Sequence, residues 1–222
     1  MIQKNKFFIL IFFFIALTTY NFNEKKQNLS IIFPIKEIII EGAVVLNLIN
    51  LKSELEFIRN TSLFFLKEKE IIEVTNKNDF ISGIQLKKKY PNTLKILISE
   101  NIPVATEINN KKIHYLTADG KKINYIKLKI FKNLPVIYGD YKNFSLFYKT
   151  LKKNNFKIND IKAFYYFDIG RWDVVLKDER TIKLPDTNYE EIIMKINLIL
   201  NNTSFSKYKI FDYRIKNQLI LQ

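Results

Sequence analysis

Residues 81–100 read ISGIQLKKKYPNTLKILISE, and their period settles the architecture around them. Ile84 and Leu86 alternate with Gln85 and Lys87; Leu94, Ile96 and Ile98 alternate again as far as Glu100. A period of two is that of a strand with one face buried. Between the runs stands Tyr90-Pro91-Asn92-Thr93, whose second-place proline and third-place asparagine suit a tight reversal. The stretch is a hairpin. Upstream, Ile35–Ile40 is β-branched and ends at Glu41-Gly42, a strand followed by a turn. Leu51, Leu55 and Ile58 fall at i, i+4, i+7, a short amphipathic helix with Asn50 as its expected cap. A second helix is expected from Lys67 to Val74, carrying Ile71, Ile72 and Val74. The order is strand, helix, helix, strand, strand. A small sheet with both helices on one face buries all of these stripes.

Beyond the hairpin, Pro103 to Ile126 leads into a second one: Ile113-His114-Tyr115-Leu116, a turn at Asp119-Gly120, then Lys121 to Ile126. Leu134-Pro135-Val136-Ile137-Tyr138-Gly139 reads as a connection. Phe144, Phe147, Tyr148 and Leu151 then mark a helix, and a strand is expected over Ile161–Asp168. Trp172, Val174 and Leu176 alternate, turn at Asp178–Arg180, and return through Ile182 and Leu184 to Pro185. Tyr189, Ile192, Ile193, Ile196 and Leu200 mark a further helix. Two last strands, Tyr208–Ile215 and Leu219–Leu221, are split by Lys216-Asn217-Gln218. This half is a mostly antiparallel sheet with two helices, so the fold class is α+β.

At the other end, Phe7–Phe22 (FFILIFFFIALTTYNF) is apolar and uncharged, with Lys4 and Lys6 before it. Residues 7–23 would make a helix ~25 Å long, within the range that spans a bilayer. No small-x-small cleavage site follows, so a retained transmembrane helix is expected rather than a cleaved signal. The basic residues ahead of it put the N-terminus in the cytoplasm and the bulk outside. Residues 1–6 are then a cytoplasmic tail and 24–32 a polar linker.

Composition narrows the chemistry. The chain has no cysteine, which excludes disulfides, thiolate metal sites and a cysteine nucleophile. Its one histidine, His114, reads as a packing or surface residue beside Tyr115. Asp119-Gly120 is a turn pair; Asp168 and Asp173 bracket the Gly170-Arg171 turn and read as solvated carboxylates; Trp172 reads as a core anchor. There is no glycine-rich phosphate loop, and no cofactor or metal is called for. A net charge of +14 raises nucleic acid as a partner, but the lysines are scattered and arginine occurs four times. Attraction to anionic lipid headgroups needs no dedicated site and fits better.

The stretch Tyr90-Pro91-Asn92-Thr93-Leu94 through Ser99-Glu100-Asn101-Ile102-Pro103-Val104-Ala105 resembles the FtsQ/DivIB family of bacterial cell-division proteins, with Asn101 where arginine is usual. Ile38–Gly42 is similar to that family's first POTRA strand. Leu116–Gly120, Leu134–Gly139, Arg171–Leu176 with Thr181–Pro185, and Ile210–Arg214 are similar to stretches of its β domain, in the same order. The resemblance implies a single span, a POTRA domain over residues 33–103 and a β domain over residues 104–222. It also implies a non-catalytic scaffold of the septum, single-pass in the inner membrane, that engages FtsB- and FtsL-type partners of the divisome. The partner would add a strand along the C-terminal edge, at Tyr213, Arg214, Ile215, Lys216, Asn217, Leu219 and Ile220. The rival readings are a POTRA protein of envelope assembly or secretion, which would need tandem repeats, and an exported hydrolase.

Overall fold

The computed structural model describes residues 9–15, 31–109 and 112–222. Residues 9–15 are helical with exposed apolar side chains, and the rest of the expected span at residues 7–23 lies outside the described residues. No helix among the described residues is long and apolar enough to cross a membrane.

The first domain has the expected strand, helix, helix, strand, strand order. Strand β1 (Glu37–Glu41) is followed by helix α1 (Leu48–Glu54), a 3-10 turn at Glu56–Ile58, helix α2 (Glu68–Thr75), and strands β2 (Ile81–Lys89) and β3 (Thr93–Glu100). The sheet order is β1-β3-β2, with β3 parallel to β1 and antiparallel to β2. Alternation decides what is buried: Leu94, Ile96 and Ile98 of β3 face Leu51, Leu55, Ile58 and Ile71 in one core. Burying each such side chain is worth ~1.5–3 kcal/mol, enough for the helices to dock on this face alone. The Tyr90–Pro91 bond in the hairpin turn is cis. Asn50 does not cap α1: the helix starts two residues earlier, and Leu51 N–H donates to Asn47 O at 3.2 Å. The apolar stripe marked the buried face correctly but not the first turn.

Two residues of the Glu-Asn-x-Pro-Val-Ala stretch act as fasteners. The Glu100 carboxylate accepts the backbone N–H groups of Val44, Val45 and Leu46 at 3.0–3.1 Å. Asn101 donates from Nδ2 to Asp79 O at 2.7 Å and Ile81 O at 3.2 Å. It thereby ties the end of β3 to the start of β2. Phe80 leaves this domain to pack with Tyr115, Ile123 and Phe131 of the next, and Asn124 Nδ2 donates to the Asp79 carboxylate at 2.6 Å.

Among the described residues the second domain is built on nine strands: β4 (Pro103–Asn109), β5 (Lys112–Thr117), β6 (Lys122–Asn124), β7 (Val136–Tyr138), β8 (Ile161–Phe167), β9 (Arg171–Leu176), β10 (Thr181–Lys183), β11 (Ile210–Asp212) and β12 (Ile220–Leu221). Their order is β12-β11-β10-β9-β8-β7-β4-β5-β6. Helices α3 (Phe144–Lys153) and α4 (Tyr189–Leu200) supply the two helices expected. Trp172 anchors the core, stacked on Phe147 with ring centres 4.7 Å apart. The sheet is mostly antiparallel, as expected, but mixed, because β4–β7, β7–β8 and β10–β11 are parallel pairs. Two other expectations change. Leu134–Gly139 is no mere connection: β7 lies inside the sheet, between β8 and β4, with Ile137 fully buried. The expected strand Tyr208–Ile215 shrinks to Ile210–Asp212, and Leu219–Leu221 to Ile220–Leu221, because residues 214–219 turn away from the ladder.

Candidate functional site

The C-terminal side of the large sheet is assembled outward from β9. Strand β10 returns antiparallel to β9, β11 adds parallel to β10, and β12 closes antiparallel on β11. Tyr213 N–H donates to Lys183 O at 2.9 Å, which carries the pairing one residue past β11. Ile210 and Gln222 exchange backbone bonds of 3.0 and 3.1 Å. Antiparallel ladders alternate, so the N–H and C=O of Leu221 point away from β11, toward the side where, among the described residues, β12 has no sheet neighbour. That is an open edge.

Beside the edge runs a groove of about 920 Å³. One wall is α4 with the Pro185–Asn188 loop; the other is the turn from Tyr213 to Leu219. The turn depends on Asn217, whose φ of 60° is a left-handed conformation that asparagine tolerates. Arg214, Ile215, Lys216 and Asn217 are exposed on this turn, while Leu219 is half-buried against the core. Ile220 stands on the edge strand itself. Tyr213 is buried at 9% exposure, so it supports the edge from beneath rather than presenting a side chain.

Charge orders the same region. Asp212, nearly buried, receives Arg214 through its backbone N–H at 3.0 Å, Nε at 2.9 Å and Nη2 at 2.6 Å. Those hydrogen bonds hold the Asp212 carboxyl below the usual carboxylate range. The pairing fixes the Arg214 guanidinium on the rim of the groove, and raises its own pKa in return. Asp173 corrects the sequence reading. It is no solvated loop carboxylate but a buried residue of β9, with Arg171 Nε 3.3 Å away. Burial pushes its pKa up, against the opposing pull of Arg171, Lys183 and Arg214. Asp168 is exposed, as expected of a loop carboxylate.

Sequence reasoning missed the α4 wall. Ile192 and Ile199 line the groove from within the core, and Leu198 projects from the helix at 77% exposure. The signal was a second apolar pair, Met194 and Leu198, at i, i+4 on a helix whose buried stripe was already complete.

Elsewhere the chemistry is structural. Asp119 accepts from Thr117 Oγ1 inside its turn, which lowers the Asp119 pKa. Glu107 is fully buried, with Lys122 Nζ at 2.8 Å and His114 Nδ1 at 3.7 Å, beyond hydrogen-bond reach. Among the described residues no group of three or more His, Asp or Glu side chains converges as a metal site requires.

Comparison with known proteins gives this geometry its context. Residues 33–101 match the family model of the FtsQ-type POTRA domain. The chain is 28% identical over 194 residues to the cell division protein FtsQ of Rickettsia typhi, covering 86% of this chain and 73% of that one. With FtsQ of Rickettsia felis it shares 25% identity over 220 residues, or 97% of this chain and 82% of the relative. FtsQ of Haemophilus influenzae is 28% identical over 142 residues, or 60% of this chain and 54% of that one. Residues 33–101 thus match an FtsQ-type POTRA domain, and over most of its length the chain is similar to cell division proteins named FtsQ.

Proposed function

We propose that the chain is a non-catalytic scaffold of the division septum, held in the inner membrane by residues 7–23 with its N-terminus cytoplasmic. Its domains run over residues 33–103 and 104–222, and the second engages FtsB- and FtsL-type partners by strand addition. The observation that carries this reading is the open edge of β12 beside a groove rimmed by Arg214 and Ile215. An incoming strand pairs with the outward N–H and C=O groups near Leu221, while side chains flanking it occupy the groove; backbone bonds supply affinity and the groove supplies selection. Arg214, preset by Asp212, suits an acidic group on the partner.

The test is calorimetric titration of the purified chain with the exported segments of the same organism's FtsB and FtsL. Saturable binding that is weakened by Leu221→Pro, which removes an outward N–H while leaving the β11 ladder intact, supports the edge. Ile215→Pro probes the turn instead, since Ile215 lies outside the strand. Absence of binding at high micromolar concentration would refute the scaffold reading. Unchanged affinity in Leu221→Pro would move the contact away from β12.

A further inference from the structure

We propose that the POTRA domain carries a bilayer-facing surface, in which Ile31, Ile32, Phe33, Phe64, Phe65 and Tyr90 rest in the interface of an anionic membrane. This goes beyond the partner edge, and it rests on reading residues 7–23 as the membrane anchor.

Single exposed apolar residues are ordinary on a protein surface. Here the chain gathers six. Phe64 and Phe65 are 58% and 70% exposed, Ile31 and Ile32 48% and 57%, Phe33 and Tyr90 41% and 52%. Leu63 N–H donates to Phe33 O at 2.8 Å and Ser62 Oγ to Ile32 O at 2.7 Å, so the segment entering the domain lies beside the loop that bears the two phenylalanines. The rings of Phe64 and Phe65 meet edge-on at 4.9 Å, and Phe33 meets Tyr90 edge-on at 5.0 Å. Phe33 holds a φ of 53°, a left-handed conformation that bulky side chains rarely adopt. The backbone accepts that strain with the ring left at the surface instead of in the core below it.

Two facts choose the occupant. Residues 24–30 separate the anchor from Ile31, and seven residues reach at most about 23–25 Å. The patch therefore begins where the chain emerges from the bilayer, and the tether keeps it at high local concentration beside lipid. The charge also fits: Lys25 and Lys26 sit in the tether, and Lys36, Lys67 and Lys89 are exposed residues adjoining the patch segments in sequence. Aromatic rings favour the headgroup level of a bilayer, and lysines near its surface are drawn to anionic lipid. A shallow apolar face with exposed lysines next to its segments in the chain is the chemistry of an interfacial surface.

The chain has no cysteine, so a single labelled one reports one place. Phe65→Cys and, as a control in the second domain, Ser204→Cys are labelled with an environment-sensitive fluorophore. The full-length chain is then reconstituted into phosphatidylglycerol–phosphatidylethanolamine vesicles containing brominated lipid. The expected result is blue-shifted emission and several-fold stronger bromine quenching at position 65 than at 204. That difference should shrink in zwitterionic vesicles and when Phe33 and Phe64 are both changed to Ser, with an unchanged circular dichroism spectrum as the sign of an intact fold. An anchored chain whose label at 65 is as aqueous as that at 204 overturns the proposal. So does equal quenching at both positions, which is general adsorption, and so does a label that self-quenches with protein density without bromine quenching, which is a second copy. A chain that fails to float with vesicles after alkaline washing removes the anchor itself, an outcome distinct from an anchored chain with an aqueous label, and takes this proposal with it.

Discussion

Gly139 directly follows β7 with a φ of +99°, and a Cβ there would stand 2.3 Å from Tyr166 O on the neighbouring strand. Gly170 has a similar φ of +87°, yet a Cβ there would meet nothing within 4 Å. The two positions separate conformational strain from collision. Gly170→Ala carries only the left-handed cost, about 1–2 kcal/mol. Gly139→Ala carries the same cost plus overpacking of about 1–3 kcal/mol, because the obstructing atom is the backbone of a central strand and cannot swing aside as a side chain can. The totals are about 1–2 against about 2–5 kcal/mol, out of a native stability of roughly 5–15 kcal/mol. At about 2–4 °C per kcal/mol for a chain of this size, the melting point should drop by roughly 2–8 °C for Gly170→Ala and 4–20 °C for Gly139→Ala. Urea unfolding followed by emission of Trp172, the only tryptophan and buried in this sheet's core, reads both variants. Equal midpoints for the two would refute the reasoning, since the collision is their only difference.

Lys122→Met should destabilise the fold by leaving the fully buried Glu107 carboxylate uncompensated. The loss should fall below the roughly 3–5 kcal/mol of a fully buried pair, because Lys122 is partly exposed; adding Glu107→Leu should recover part of it, and an unaltered single variant contradicts the account. Burial lowers the Lys122 pKa, but the hydrogen bond and charge of Glu107 outweigh it and raise the pKa overall. Its stabilisation is therefore complete below the unfolded value of about 10.4 and fades as pH rises through the higher folded value; a flat alkaline limb in denaturation against pH counts against this. Asp212 runs the other way: depressed first by its bond from Arg214, it stabilises above about pH 3.9 and loses that contribution as pH falls through its folded value. Asp212→Asn should flatten that acid limb, and an unchanged limb would assign it to other carboxylates. Phe147→Ala should cost about 3–5 kcal/mol and shift Trp172 emission to the red, since the two rings stack at 4.7 Å in a closed core; unshifted emission would mean the cavity has collapsed.

Elements with one face buried were legible because that face repeats at two or 3.6 residues. The β2–β3 hairpin, both helices of the first domain and both of the second follow from such stripes. Strand β7 was not legible. Three residues behind Pro135 contain no full period, and Ile137 is buried only because β4 and β8 arrive from either side. The last strands were read too long because Tyr208–Ile215 keeps an apolar character past Asp212, where the Asp212–Arg214 pairing and the turn at Asn217 lead the chain out of the sheet.

By itself, then, the sequence determined the order of the elements, the faces of the helices, the apolar run at residues 7–22 and the lack of cysteine chemistry, because each is written in neighbouring residues. Tertiary structure alone decided the mixed strand order, the burial of Asp173, the groove between α4 and residues 213–219, and the meeting of Phe33 with Tyr90. Those features join residues distant along the chain, and local periodicity states which side of an element is buried without stating what it is buried against.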